Sequence, residues 1–332
     1  MNNVVFASRS EIAHALGGCA MIVTDRNVKG LYGEIMPNAF AIPAGEKSKC
    51  KEVLFDILSE MSKRGLDRGD RIAAVGGGVV SDITGLAASL YMRGIEYINV
   101  PTTVLGAVDA GIGGKTAIDF DGRKNLVGSF YMPKTVYIDF SFAASLPRRE
   151  LMCGLGEIFK TCLLTRKTYD LLVSKFDVAA ELRLDVLEEL ARACVAVKCE
   201  VTERDFRESG LRRVLNVGHT VGHALESANK NDKSHGEYVL TGILTECAMC
   251  GELVKSEYRA ELEEMLLRLV KFPRTSAGGV LKYALGDKKN TNGEIEIMLP
   301  VAAGEVACVR LTADDFVERY NLAVRGGRGG NE

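Results

Sequence analysis

The spacing of apolar residues changes character near residue 150, and that change decides the architecture. Before it, the apolar runs AMIVTD, RIAAV, EYINVPTT and TVYID alternate with helically spaced stretches. One of these covers residues 49–64, with Val53, Leu54, Ile57, Leu58 and Met61 on one face. Strands alternating with helices predict a mostly parallel sheet covered on both faces. From residue 151 helical spacing runs almost unbroken through GEIFKTCLL, TYDLLVSKF, LRLDVLEELARACVAVKCEVTERD, VGHTVGHALESA, YVLTGILTECAMCGELVK and RAELEEMLLRLVKF. The chain is therefore read as an α/β N-terminal domain, residues 1–150, and an all-α C-terminal domain, residues 151–325, dividing within SLPRRELMCG. A short hairpin, EIEIMLPVAAGEVACVRL, is expected after Asn290, and the tail GGRGGNE is expected to be disordered.

The 332 residues fit two domains at roughly 150 residues each. Lysine and arginine total 42 against 44 aspartates and glutamates, for a net charge of −2. That balance lacks the cationic footprint of a nucleic-acid binder. Glycine or charge breaks every apolar run well before the ~20 residues of a membrane span. The start MNNVVFASRSEIAHAL has no basic stretch followed by an apolar one, so no secretion signal and a cytoplasmic location are expected. Nine cysteines, among them Cys194, Cys199, Cys247 and Cys250 in helical apolar patterns, fit reduced thiols in so long a chain.

Between the strand RIAAV and the next helix lies VGGGVVSD. Glycine lets a backbone approach a ligand, and helix N-terminal N–H groups point at an anion. Gly76-x-Gly78-x-x-Ser81 approximates the dinucleotide fingerprint, with serine in the third position. A tight turn without a ligand explains the same residues, and Ser81 or Asp82 would cap the helix. Asp25, ending the first strand, is either a ribose partner or a solvated loop residue. The stretch PTTVLGAVDAGIGGKTAIDFDGRKN sets Thr102, Thr103, Asp109, Lys115, Lys124 and Asn125 among five glycines. It reads as a loop that places polar groups.

Three of the four histidines, His219, His223 and His235, fall in NVGHTVGHALE and the nearby SHGE. His219 and His223 share a helical face, though Thr220 stands where a helical zinc motif usually has glutamate. A catalytic zinc takes three protein ligands and keeps an open position. Glu157, with Lys160 one turn along an apolar helix, is a further candidate, so spacing alone leaves the ligand set open. Lys115, Lys160, Lys198, Arg212, Arg213, Arg93 and the Lys288/Lys289 pair together suggest a multiply anionic small molecule.

Over about residues 40 to 300 the chain resembles the 3-dehydroquinate synthase family of sugar phosphate cyclases. The resemblance rests on PAGEKSK, GGGVVSDITGLAASLYMRG, VPTTVLGAVDAGIGGKTAID, KNLVGSFYMP, LPRRELMCGLGEIFK, ERDFRESGLRRVLNVGHTVGHALE, SHGE and DKKN, in that order. It implies a Rossmann-like NAD-binding domain, an α-helical domain and a homodimer. It implies that Glu157, His219 and His235 hold one divalent metal, zinc in the first place and cobalt as the alternative. His223, Lys115, Asn125, Asn216 and Lys288 or Lys289 would then meet the substrate phosphate, with Arg93 reaching in from the neighbouring subunit. Lys198 and Arg212 resemble the carboxylate-binding pair, and Asp109 and Lys160 match positions near the reacting hydroxyls. For NAD the matching positions are Asp25, Glu46, Lys49, Gly78, Asp82, Thr102, Thr103, Lys124, Phe142 and Ser145; Lys115 is counted with both groups. The implied reaction turns 3-deoxy-D-arabino-heptulosonate 7-phosphate into 3-dehydroquinate and phosphate. The alternatives are another sugar phosphate cyclase and a polyol dehydrogenase like glycerol dehydrogenase. Ser81, Ser145, Gly156 and Val221 depart conservatively from the family pattern.

Overall fold

The computed structural model describes residues 3–229, 232–286 and 294–326. The chain forms two compact units. One comprises Met1–Leu146 with Lys198–Ser209, and the other Pro147–Val197 and everything from Gly210 onward. Among the described residues no helix is long and apolar enough to cross a membrane. The expectations for Lys288, Lys289 and the glycine-rich tail fall outside the described residues.

The first unit runs β1 (Val4–Phe6), α1 (Arg9–Gly17), β2 (Met21–Asp25), α2 (Arg26–Tyr32), β3 (Phe40–Ile42), α3 (Lys51–Lys63), β4 (Arg71–Gly76), α4 (Gly78–Leu90), β5 (Glu96–Pro101), β6 (Lys115–Phe120), β7 (Arg123–Phe130) and β8 (Thr135–Ile138). Six strands make a sheet in the order β1-β8-β5-β4-β2-β3, parallel at every pairing. Alternate residues of β4 feed opposite cores. Ile72 and Ala74 pack with Leu54, Ile57 and Met61 of α3 and Val80, Ile83 and Leu86 of α4. Ala73 and Val75 pack with Ile12, Leu16, Val28 and Phe142. Burial on both faces explains why these strands read as unbroken apolar runs.

The order reverses between β2 and β4, because β3 lies outside β2 while β5 continues on the far side of β4. Open parallel sheets bind ligands at such a point, beyond the carboxyl ends of the strands. Thr24 pairs with Val75 there, so Asp25 and Gly76 emerge side by side.

The glycine-rich stretch after β5 is more ordered than its composition suggests. Residues Gly106–Ala110 form one π-helical turn, and β6 and β7 form an antiparallel hairpin. Asp121 (φ 51°) and Gly122 (φ 71°) make its two-residue turn, the backbone that Asp-Gly favours. The helix after β4 also begins earlier than the sequence suggests. Gly77 is its N-cap, so neither Ser81 nor Asp82 caps it. Instead, the Ser81 hydroxyl donates back to the Gly77 carbonyl at 3.2 Å.

Residues Lys198–Ser209 join the first unit through side chains, which helical periodicity does not encode. Lys198 donates to the carboxylate and carbonyl of Asp109, Lys115 pairs with Glu208 at 2.5 Å, and Phe206 meets Phe130 edge-on at 5.5 Å.

The second unit runs α5 (Arg148–Cys162), α6 (Arg166–Ala180), α7 (Leu184–Arg204, up to Val197), α8 (His219–Ala228), α9 (His235–Met249), α10 (Ser256–Leu269), α11 (Ala277–Ala284), the antiparallel strands β9 (Ile295–Ala302) and β10 (Glu305–Leu311), and α12 (Ala313–Gly326). Among the described residues this hairpin is the unit's one departure from a helical build. Glycines set how closely α5, α8 and α9 approach. A Cβ on Gly156 would stand 2.4 Å from the Gly236 carbonyl oxygen, and one on Gly242 only 1.9 Å from that of Gly218. Cys247 and Cys250 have C-x-x-C spacing near the end of α9, but all nine cysteines are free thiols. Burial pushes Cys250 up to about 11 and Cys247 higher still, so neither offers a reactive thiolate.

Candidate functional site

Three residues beside those glycines converge. Glu157 follows Gly156, His219 follows Gly218, and His235 precedes Gly236. Close helix crossings therefore bring short side chains from three helices to one point. The Glu157 side chain is fully buried. Its Oε1 lies 3.6 Å from His219 Nε2 and 3.3 Å from His235 Nε2, and its Oε2 lies 2.5 Å from the Lys160 ammonium.

Both imidazoles are oriented through their other nitrogen. His219 Nδ1 stands 3.0 Å from the Val217 carbonyl oxygen. A carbonyl only accepts, so Nδ1 carries a proton and Nε2 faces Glu157. His235 Nδ1 stands 3.0 Å from Glu226 Oε2 and is fixed the same way. Burial lowers the pKa of His235, but hydrogen bonds and charge from Glu157 and Glu226 more than reverse this and raise it to about 10. Two tethered imidazoles and a buried carboxylate make a donor set suited to zinc or a similar divalent cation, which would displace the Nε2 proton that the raised pKa leaves on His235. A second set is also present: His219, His223 and His235 each offer a nitrogen within 4.8 Å of the others. His223 is exposed, whereas His219 is buried.

Glu226 escaped sequence reasoning. Its only signal was a carboxylate two turns beyond His219. Losing such a partner typically weakens metal binding ~10–100-fold. Glu226→Gln is therefore expected to bind zinc that much less tightly in a chelator competition, while unchanged affinity would remove Glu226 from the site.

Arg212 is buried in the short turn Leu211–Asn216 that precedes α8, with Asn216 half-buried at its end. Arg213 of this turn pairs with the buried Glu296 at 3.0 Å. In the first unit, Asp109 projects from the π-helical turn and holds Lys198. Such turns recur at functional sites. Lys124 and Asn125 lie on the exposed strand β7, and Asn125 adopts a left-handed φ of 53°. Arg93 is exposed in a turn where Met92, Arg93 and Gly94 all have positive φ (48°, 69° and 122°). Strain of this kind persists only where surrounding structure enforces it.

Most of the dinucleotide candidates follow the carboxyl ends of strands of the six-stranded sheet, while Lys115 and Lys124 lie on the β6–β7 hairpin. Cβ atoms on Gly77 and Gly78 would each stand 3.1 Å from a neighbouring side chain, so the turn lies close against Thr103 and Ala110. Asp82 pairs with the buried Lys49, yet burial still raises its pKa to about 6. Thr102 is buried, and its N–H donates to the Gly76 carbonyl at 2.9 Å. The Thr103 hydroxyl accepts from Gly106 N–H. Glu46 is exposed in a short turn after Gly45. Asp25 caps α2, accepting from Asn27 and Val28 N–H at 2.8 and 3.0 Å. The Phe142 ring is buried beneath the Arg9 guanidinium, 3.9 Å from its centroid, and the Phe142 carbonyl accepts from the Ser145 hydroxyl at 3.0 Å. The Ser145 hydroxyl meets Tyr32 Oη at 2.7 Å.

Known proteins match along most of the chain. The family described as 3-dehydroquinate synthase N-terminal matches residues 39–153, and 3-dehydroquinate synthase C-terminal matches residues 154–290. A 3-dehydroquinate synthase of Ruminiclostridium cellulolyticum is 35% identical over 322 residues, covering 92% of this chain and 90% of that protein. One of Symbiobacterium thermophilum is 39% identical, covering 91% and 89%. A solved structure of 2-epi-5-epi-valiolone synthase from Streptomyces hygroscopicus, with NAD+ and Zn2+ bound, is 29% identical. It superposes with a TM-score of 0.87, over 98% of this chain and 97% of that one.

Proposed function

Since this chain belongs to the 3-dehydroquinate synthase family, we propose that it converts 3-deoxy-D-arabino-heptulosonate 7-phosphate into 3-dehydroquinate and phosphate. It would do so as a phosphate-eliminating carbon–oxygen lyase, with NAD and one divalent metal as cofactors. The cluster of Glu157, His219 and His235, centred on the fully buried carboxylate of Glu157, carries this reading. These three would hold the metal, zinc or cobalt, in preference to the three-histidine set. Glu157 is the buried charge at the centre, and it faces both tethered imidazoles. The close turn at Gly78, with Asp25, Glu46, Lys49, Asp82, Thr102, Thr103, Lys115, Lys124, Phe142 and Ser145, would receive NAD. When bound, these groups supply a reversible hydride acceptor and a Lewis acid for a substrate hydroxyl.

The chain's own task is then mostly positioning and electrostatics. His223 and Asn216 would donate to the phosphate, together with Lys115, Asn125, Lys288 and Arg93. Arg212 and Lys198 would take the carboxylate. Asp109 and Lys160 would orient the hydroxyls, Lys160 with its ammonium already fixed by Glu157. The departing phosphate can remove the neighbouring C–H proton itself, which fits a site rich in cations and poor in dedicated bases. We read the enzyme as cytoplasmic and homodimeric, with Arg93 of each copy serving the other's substrate; its exposed, strained turn suits that role.

Incubating the protein with the heptulosonate phosphate, NAD and zinc tests the proposal. Phosphate release without lasting NADH absorbance is the expected result. Steady accumulation of NADH would instead identify a polyol dehydrogenase.

A further inference from the structure

Helix α8 begins without a cap of its own. Its N-cap, Gly218, has no side chain to accept the first N–H groups, and its φ of 73° is left-handed. No capping serine or aspartate can stand there. A Cβ at Gly218 would meet Ile243 Cγ1 at 2.4 Å and the Val239 carbonyl oxygen at 2.6 Å. The missing cap comes from the neighbouring helix. Glu246 of α9 is fully buried. Its Oε2 accepts from Gly218 N–H at 3.1 Å, and its Oε1 accepts from Val221 N–H at 2.8 Å. These are the two N–H groups that a capping box satisfies within one helix. Here one carboxylate from another helix satisfies both, at the helix end that favours negative charge.

We propose that Glu246 is a positioning residue for the metal centre, acting through the backbone at the start of α8 on His219. This rests on the reading of His219 as a metal ligand. His219 is the first residue of the helix, and its Nδ1 proton goes to the carbonyl of Val217, directly before the N-cap. Glu246 holds the N–H of Gly218, which belongs to the same peptide unit as that carbonyl. The direction of His219 Nε2 therefore follows from a continuous chain: carboxylate, peptide 217–218, imidazole. Glu246 also shares α9 with His235, so one helix both carries one histidine and fixes the other.

The test is zinc affinity by chelator competition, beside the visible spectrum of the cobalt-loaded chain. Glu246→Gln keeps the shape and one acceptor, but turns an amide NH2 toward the second N–H. It is expected to weaken zinc binding at least tenfold and to alter the cobalt spectrum. Leu262→Ala is the control for lost stability, since Leu262 is buried on α10 outside the cluster. It should lower Tm of the metal-free chain at least as far while leaving zinc affinity within about twofold. Should the Gln variant fail to fold, Glu246→Asp, which keeps the charge but shortens the reach, is measured and judged in the same way. Wild-type zinc affinity in the folded Glu246 variant overturns the proposal, as does loss of affinity that tracks Tm in both variants. A wild-type chain that takes up no zinc overturns the metal assignment and this proposal together.

Discussion

His219→Ala is expected to abolish tight binding of a divalent cation and reduce phosphate release to background, whereas His223→Ala keeps the cation and loses turnover alone. The two histidines sit one helical turn apart with ring centroids 4.8 Å from each other, so sequence spacing cannot separate them. Their surroundings do. His219 is buried, aims Nε2 at Glu157 and has Nδ1 tied to a carbonyl. His223 is exposed, and its placement suits contact with a ligand that comes and goes. Removing one of three protein ligands leaves a site that no longer meets the minimum of a catalytic zinc centre. Elemental analysis after dialysis of the two variants decides the matter. A metal-free His223→Ala beside a metal-loaded His219→Ala would reverse the assignment, and loss from both would favour the three-histidine set.

The sheet was legible because its strands are buried on both faces. AMIVTD, RIAAV, EYINVPTT and TVYID each contain a strand of the sheet. β1 and β3 were not legible, since three residues are too few to show a period. The β6–β7 hairpin was hidden by its glycines, although Asp121-Gly122 is a hairpin signal that could have revealed it. The site divides in the same way. Histidines and a carboxylate in an apolar helix stand out in a sequence. Glu226 and Glu246 do not, because each acts on a residue elsewhere in the chain: a histidine ring for Glu226, a helix end for Glu246. Lys198 joining Asp109 was equally invisible, being a pairing 89 positions apart.

Arg212→Ala is expected to lower kcat/KM for the heptulosonate phosphate by about 30- to 5,000-fold, the equivalent of ~2–5 kcal/mol for truncating a buried, paired charge. Arg212 is only 2% exposed, so its charge meets little solvent screening, and a guanidinium's planar fork matches a carboxylate bidentately. The next residue helps hold it. Arg213 pairs with Glu296 of β9, and Thr220 of α8 donates to the Glu296 carbonyl at 2.8 Å. The turn and the histidine helix are thereby both tied to Glu296 of the hairpin. Arg212→Lys keeps the charge but loses the fork, and it should recover only part of the activity. Substrate choice gives a sharper readout. A sugar phosphate without a carboxylate gains nothing from this guanidinium, so Arg212→Ala should narrow the enzyme's preference for the acid substrate. Unchanged kcat and KM, or an equal loss with both substrates, would exclude Arg212 from carboxylate recognition.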